Sequence, residues 1–288
     1  MANLRDIKRR IRSVRNTSQI TKAMQMVASA KMRRAQELAL KGRAYISALA
    51  NVLRHLEGAI QEGGAALMQA ADAGRTLVIV VNTDKGLCGA LNANLLREVL
   101  TQCPADADYV TIGAKLGSML ARMGRKVTHS FSVSDAMREG ELKPVFELVR
   151  AGFEQGVYNT VLVAYQKFVN VMVQRPQVAQ LLPITPDELL QVAAQDDMED
   201  TDNTNFLLEP SPKSLLASIL PLYVSNHLVQ MVLEGKASEQ SARMVAMKSA
   251  TENAKSLIGE LTLEYNKARQ TQITNELLEI TTAMKAME

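Results

Sequence analysis

The sequence predicts an α+β protein: a long antiparallel coiled coil of its N- and C-terminal helices, with a Rossmann-like α/β domain inserted between them. Three observations carry this. Met1 to Leu56 and Leu222 to Glu288 hold no proline, and all 8 prolines fall between Pro104 and Pro221. Proline removes a backbone donor and clashes with the preceding helical turn, so its absence permits unbroken helix. Both end tracts place apolar or small residues at steps of three and four, and strand-like and helix-like runs alternate between them.

In the first tract (residues 1–58) the stepping runs through Leu4, Ile7, Ile11, Val14, Ser18, Thr21, Gln25, Ala28, Met32, Ala35, Ala39 and Gly42. This is a heptad seam, aliphatic in its first half and mostly small in its second, where a partner helix could approach closely. Ile20, Met24, Val27 and Leu38 widen the apolar face beyond that seam. The last tract (residues 210–288) repeats the pattern at Met244, Met247, Thr251, Ala254, Ile258, Leu261, Tyr265 and Ala268. After a phase slip, Ile273, Leu277, Ile280, Met284 and Met287 are expected to continue it. Pro210 and Pro212 precede this helix, with Ser211 or Ser214 as N-cap, and Pro221 either kinks it or marks its start. At 1.5 Å per residue the two helices would span roughly 80 and 110 Å. A compact insert brings its own ends together, so the helices entering and leaving it should pair antiparallel.

The middle (residues 74–192) reads as strands at Thr76–Val81, Tyr109–Ile112, Lys126–Phe131 and Thr160–Tyr165, with another expected at Val169–Gln174. Helices are expected at Ala90–Leu100, Lys115–Met123 and Glu141–Gln155. Strands alternating with helices imply a mostly parallel sheet. Residues 193–209 follow as an acidic linker. It lacks the spaced acidic pattern of a calcium loop, so its composition favours a flexible connection over a metal site.

Composition narrows the function classes. Aromatics make up only 4% and Trp is absent, while Met reaches 15, which suits helix packing better than a large β core. Cys88 and Cys103 form no CxxC and no Cys/His cluster, so neither a disulfide framework nor a zinc site is expected, and a reducing compartment is. The longest apolar runs, such as Leu77–Val81, are too short to cross a bilayer, and no apolar stretch follows the basic N-terminus as a secretory signal would require.

Net charge is only +3, but Arg5, Lys8, Arg9, Arg10, Arg12, Arg15, Lys22, Lys31, Arg33 and Arg34 face the single acid Asp6 over the first 34 residues. Phosphate neutralisation, an ordinary solvated face and contact with an acidic protein surface all remain open for it. Without interleaved aromatics or a base-reading motif, no nucleic-acid partner is expected.

Asn82 to Asn92 (NTDKGLCGALN) follows the first strand, where a doubly wound fold can seat a phosphate. Gly86 and Gly89 are too few for a dinucleotide loop, and no Lys-Ser/Thr pair follows, so a structural turn is the better reading. No motif ties His55 or His129 to Cys88 as a nucleophile. No catalytic, cofactor-binding or metal residue is assigned.

Four segments together resemble the gamma subunit of rotary, F-type ATP synthase in a bacterial form. They are ITKAMQMVASAKMR from Ile20, TDKGLCGALN from Thr83, ASEQSARMVAMKSATEN from Ala237, and YNKARQTQITNELLEI from Tyr265. Both ends and the middle match in order, and nothing corresponds to the cysteine-bearing insertion of the chloroplast type. The resemblance implies a noncatalytic rotor shaft inside a ring of three alpha and three beta subunits. Its α/β foot would meet the epsilon subunit and the membrane c-ring, and it would couple proton translocation to ATP synthesis. The expected location is the cytoplasmic face of the bacterial inner membrane, held peripherally.

By the same resemblance Met24, Arg243, Gln270 and Thr274 match positions that contact the alpha/beta ring. Phe206, Leu208 and Glu209 match a c-ring-side segment, although family members often carry Tyr where Phe206 and Leu208 stand. The competing reading is an α/β nucleotide-binding enzyme with a coiled-coil oligomerisation arm.

Overall fold

The computed structural model describes residues 4–54, 56, 66–70, 73–135, 137, 140–185 and 211–287. Phe206, Leu208, Glu209 and the acidic linker lie outside the described residues. The elements are α1 (Leu4–Arg54), β1 (Arg75–Val81), α2 (Leu91–Gln102), β2 (Asp108–Ile112), α3 (Lys115–Arg122) and β3 (Lys126–Phe131). They continue with α4 (Lys143–Glu154), β4 (Tyr158–Phe168), β5 (Gln174–Leu182) and α5 (Pro212–Met287), and a 3-10 turn at Ala66–Met68 precedes β1. The chain folds as two compact units, one of residues 1–28 and 243–288, the other of residues 29–242.

In the larger unit five strands form one sheet in the order β3-β2-β1-β4-β5. Neighbours pair parallel except β4 with β5, which form an antiparallel hairpin. Strand periodicity splits β1 between two cores. Leu77, Ile79 and Val81 join Val145, Phe146, Val149 and Phe153 of α4, Ile46 and Leu53 of α1, and Leu216, Leu220, Tyr223, Leu228 and Val232 of α5. Val78 and Val80 face the other way, onto Leu95 and Val99 of α2 and Leu116 and Leu120 of α3. A strand covered on both faces needs an unbroken apolar run, which is why TLVIVV does not alternate.

One expected strand moves. Val169–Gln174 is mostly the turn of the β4–β5 hairpin, and β5 begins only at Gln174. The Asn170 carboxamide oxygen accepts from the backbone N–H groups of Met172 and Val173, each at 2.9 Å, and so bends the chain there. Pro176 within β5 is tolerated because this strand ends the sheet order.

Pro221 lies inside α5 and does not start it. Ser211 is the cap: its hydroxyl accepts from the Ser214 N–H at 3.3 Å, and its carbonyl accepts from Leu215. By length and mean hydropathy (1.4 over 18 residues) one stretch of α5 could cross a membrane, and 44% of that stretch is buried within the protein. Leu216, Leu220, Tyr223, Val224, Leu228 and Met231 pack into the first core, which accounts for its apolar character as core helix.

The smaller unit is a helix pair. The Thr21 and Thr251 hydroxyls meet at 2.7 Å. In antiparallel register Leu4, seventeen residues before Thr21, falls level with Ala268, seventeen after Thr251. A parallel register would set Leu261 level with Lys31, which belongs to the other unit, yet Leu261 is 7% exposed and groups with residues 1–28. The pair is therefore antiparallel. Past Ala268 every described residue of α5 is exposed, so the expected continuation through Ile273, Leu277, Ile280, Met284 and Met287 does not occur.

Candidate partner interface

The helix pair buries its seam and leaves a second apolar surface uncovered. Ile20 and Val27, from the widening stripe on α1, are 60% and 55% exposed. Met24 is half-buried between them. On α5, Ile273, Leu277, Leu278, Ile280, Met284 and Met287 are exposed, along nineteen residues (269–287) that span about 28 Å of helix. Exposed apolar surface on this scale marks an interaction site.

Met24, Arg243, Gln270 and Thr274, the residues expected to contact a ring, do not form one cluster. Gln270 and Thr274 are exposed one turn apart, and the Thr274 hydroxyl donates to the Gln270 carbonyl at 2.9 Å. Arg243 lies twenty-seven residues earlier, about 40 Å along the helix, and is only 8% exposed. Its guanidinium is largely packed within the chain. Arg5, Lys8, Arg9, Arg12 and Arg15 line an open groove of about 730 Å³ with Ile11 and Asn16, and Arg9 pairs with Asp6 at 2.9 Å. An exposed pair of this kind leaves the groove strongly positive.

In the larger unit, the NTDKGLCGALN loop is tied down at many points. The Asn82 side chain donates to the Gly113 carbonyl at 3.1 Å and accepts from the Leu116 N–H at 3.1 Å, fixing the start of α3. Asp84 accepts from the Ala114 N–H. Leu87 and Gly89 sit at φ +64° and +61°, so the chain turns through the left-handed region twice. Cys88 is buried, and its sulfur accepts from the Asn92 carboxamide at 3.8 Å. Burial lifts the Cys103 thiol to about 11, which keeps it protonated.

That loop docks against a stretch of α5 buried on nearly every side, Glu234 to Ser241. Lys236 donates to the Val133 carbonyl at 3.1 Å and pairs with Asp84 at 3.7 Å and Glu239 at 4.0 Å. Ser238 donates to the Gln166 carbonyl at 2.9 Å, and Ser241 to the Val171 carbonyl at 2.6 Å. Gly235 sits where a Cβ would come within 2.9 Å of Val81. Lys31 of α1 pairs with Asp135 at 2.5 Å. Sequence reasoning missed this joint. Its only signal was the polar and small run EGKASEQS from Glu234 following the apolar first turns of α5.

The joint also decides against nucleotide binding. The crevice between the C-terminal ends of β1 and β4 is where an open α/β sheet binds its ligand. Here Gly235, Lys236 and Glu239 fill it, leaving a cavity of about 10 Å³. A small-molecule site needs roughly 300 Å³ or more. Among the described residues no group of three His, Cys, Asp or Glu side chains is placed to hold a metal.

Comparison with known proteins agrees. The family model described as ATP synthase matches residues 3–287. The ATP synthase gamma chain of Akkermansia muciniphila is 59% identical over 291 residues, covering 100% of both chains. That of Opitutus terrae is 42% identical over 295 residues, covering 99% of each. Among solved structures, a chain of the Euglena gracilis mitochondrial ATP synthase (OSCP/F1/c-ring) shares the fold with TM-score 0.67 at 19% identity, over 99% of this chain and 94% of that one. A chain of the Tetrahymena thermophila mitochondrial ATP synthase central stalk and c-ring matches with TM-score 0.55 at 26% identity, over 80% of this chain and 99% of that one. Matched end to end in both sequence and fold, this chain belongs to the ATP synthase gamma chain family.

Proposed function

We propose that this chain is the noncatalytic central shaft of a proton-translocating rotary ATP synthase, turning inside three alpha and three beta subunits. Its α/β unit meets the epsilon subunit and the c-ring, and the assembly is held peripherally at the cytoplasmic face of a bacterial inner membrane. The observation that supports this best is the uncovered end of α5 after Ala268, where apolar side chains stand beside the exposed donors Gln270 and Thr274. A lone helix carrying such a surface needs a sleeve around it.

The coupling rests on differential contact. An asymmetric shaft presents a different face to each catalytic subunit and biases each towards a different conformation. Moving one site from 1:99 to 99:1 requires about 5.5 kcal/mol of differential interaction. An exposed ion pair supplies about 0–1 kcal/mol. The shaft must therefore act through shape and many contacts together, with Met24, Arg243, Gln270 and Thr274 as ring contacts and Phe206, Leu208 and Glu209 on the c-ring side.

Co-purification tests the reading. Tagged chain expressed with its own alpha and beta subunits should yield one copy per three of each, in an assembly that hydrolyses ATP. Failure to associate with that ring, or saturable nucleotide binding by the chain alone, would overturn it.

A further inference from the structure

We propose that the crevice plugged by α5 holds one structural water molecule, which completes the polar joint between the sheet and the helix. The argument starts at Gln166, at the end of β4. Its carboxamide nitrogen donates to the Leu91 carbonyl at 2.9 Å, and a carbonyl accepts only a donor. The amide orientation is thereby fixed, and Oε1 must point the other way. That oxygen is buried on a side chain only 3% exposed, and no donor among the described residues reaches it. A buried carboxamide oxygen left without a hydrogen bond costs about 1–3 kcal/mol.

The cavity beside it supplies the remedy. Its volume of about 10 Å³ suits a single water, which needs roughly 10–15 Å³ and two to four polar partners. The wall contains Thr83, Asn92, Gln166, Lys236 and Glu239. Thr83 is 2% exposed, and its hydroxyl oxygen already accepts from Asn92 at 2.7 Å, so its own proton is left to donate. The water accepts from Thr83, donates to Gln166 Oε1, and gives its second proton to the Glu239 carboxylate. It thus links the loop after β1, β4 and α5 at one point, whatever the assembly does with the shaft. A larger ion or metabolite does not fit the volume.

The test is a map of the assembled complex at a resolution where other buried waters are resolved. A peak within hydrogen-bonding distance of Gln166 Oε1 and of a second wall group is expected. An empty crevice, or a Gln166 turned onto a protein donor, overturns the proposal. In a Gln166→Met complex, which keeps the length and removes both polar ends, the peak should vanish. Its persistence there would overturn Gln166 as the anchor, and should that variant fail to assemble, the wild-type map alone decides.

Discussion

Thr21 and Thr251 bond hydroxyl to hydroxyl across the helix pair at 2.7 Å, and each also reaches a carbonyl of its own helix. Each hydroxyl has one proton, so one of them serves the cross-link while the other stays on its own turn. Replacing either by Val removes the link and leaves the survivor its local carbonyl. Thr21→Val and Thr251→Val should each cost about 1 kcal/mol. The double variant should cost no more than one of them, a coupling of about 1 kcal/mol. Urea unfolding of the dilute chain, followed by circular dichroism, measures it. Strict additivity would show that the bond contributes nothing.

The exposed end of α5 and the buried Arg243 set up a comparison. Removing residues 281–288 takes away weak apolar contacts and should lower the efficiency of ATP-driven proton pumping without abolishing it. Arg243→Ala with Gln270→Ala removes directional donors, of which an Arg–carboxylate contact is the stronger kind, and should impair turnover more. Both are measured on complexes of verified stoichiometry. A more damaging truncation, or a double variant that behaves as wild type, would rule out Arg243 and Gln270 as the proposed ring contacts.

Much of this was legible beforehand, and the exceptions share a cause. Periodicity located both helices and set Lys126–Phe131 as a strand to the residue. It records which face of a helix is apolar but not what covers it, so Ile273 to Met287 read as seam when they have no cover. Apolar content drew a strand at Val169–Gln174, whereas one Asn170 side chain makes it a turn. The docking of Lys236 and Ser238 at the sheet depends on residues seventy or more positions away in sequence. No local pattern carries such information.

Cys88 is buried in a turn, with its sulfur against the Asn92 carboxamide. Cys88→Ser and Cys88→Ala should therefore leave ATP hydrolysis by the assembled complex within about twofold of wild type, a difference of roughly 0.4 kcal/mol in the barrier. Loss of activity in a correctly assembled variant would restore a chemical role for the sulfur.

Burial pushes His227 below its ordinary value of 6.5, beside the Tyr223 ring at 5.7 Å. The folded chain thus favours neutral imidazole, and the unfolded chain takes up a proton first as pH falls. This contribution to stability is complete above pH 6.5 and is lost as pH falls from there through the lower folded value. His227→Gln should flatten that part of the stability–pH curve, read by urea midpoints between neutral and mildly acidic pH. An unchanged slope would assign the acid sensitivity to other groups.

The pairing of Thr21 with Thr251 has a consequence for biogenesis, because its two halves are 230 residues apart. Translation runs at about 5–20 residues per second, so the first helix leaves the ribosome roughly 10–50 seconds before its partner exists. During that interval Ile7, Ile11, Ala28 and Met32 have nothing from this chain to pack against. A contact of such long sequence separation also forms slowly once both halves are present. The five-stranded sheet, whose last strand ends at Leu182, can pair in the meantime. The nascent helix is therefore the segment that a holdase or a waiting partner subunit must shield, and the order of synthesis makes the shaft the last part of the molecule to close.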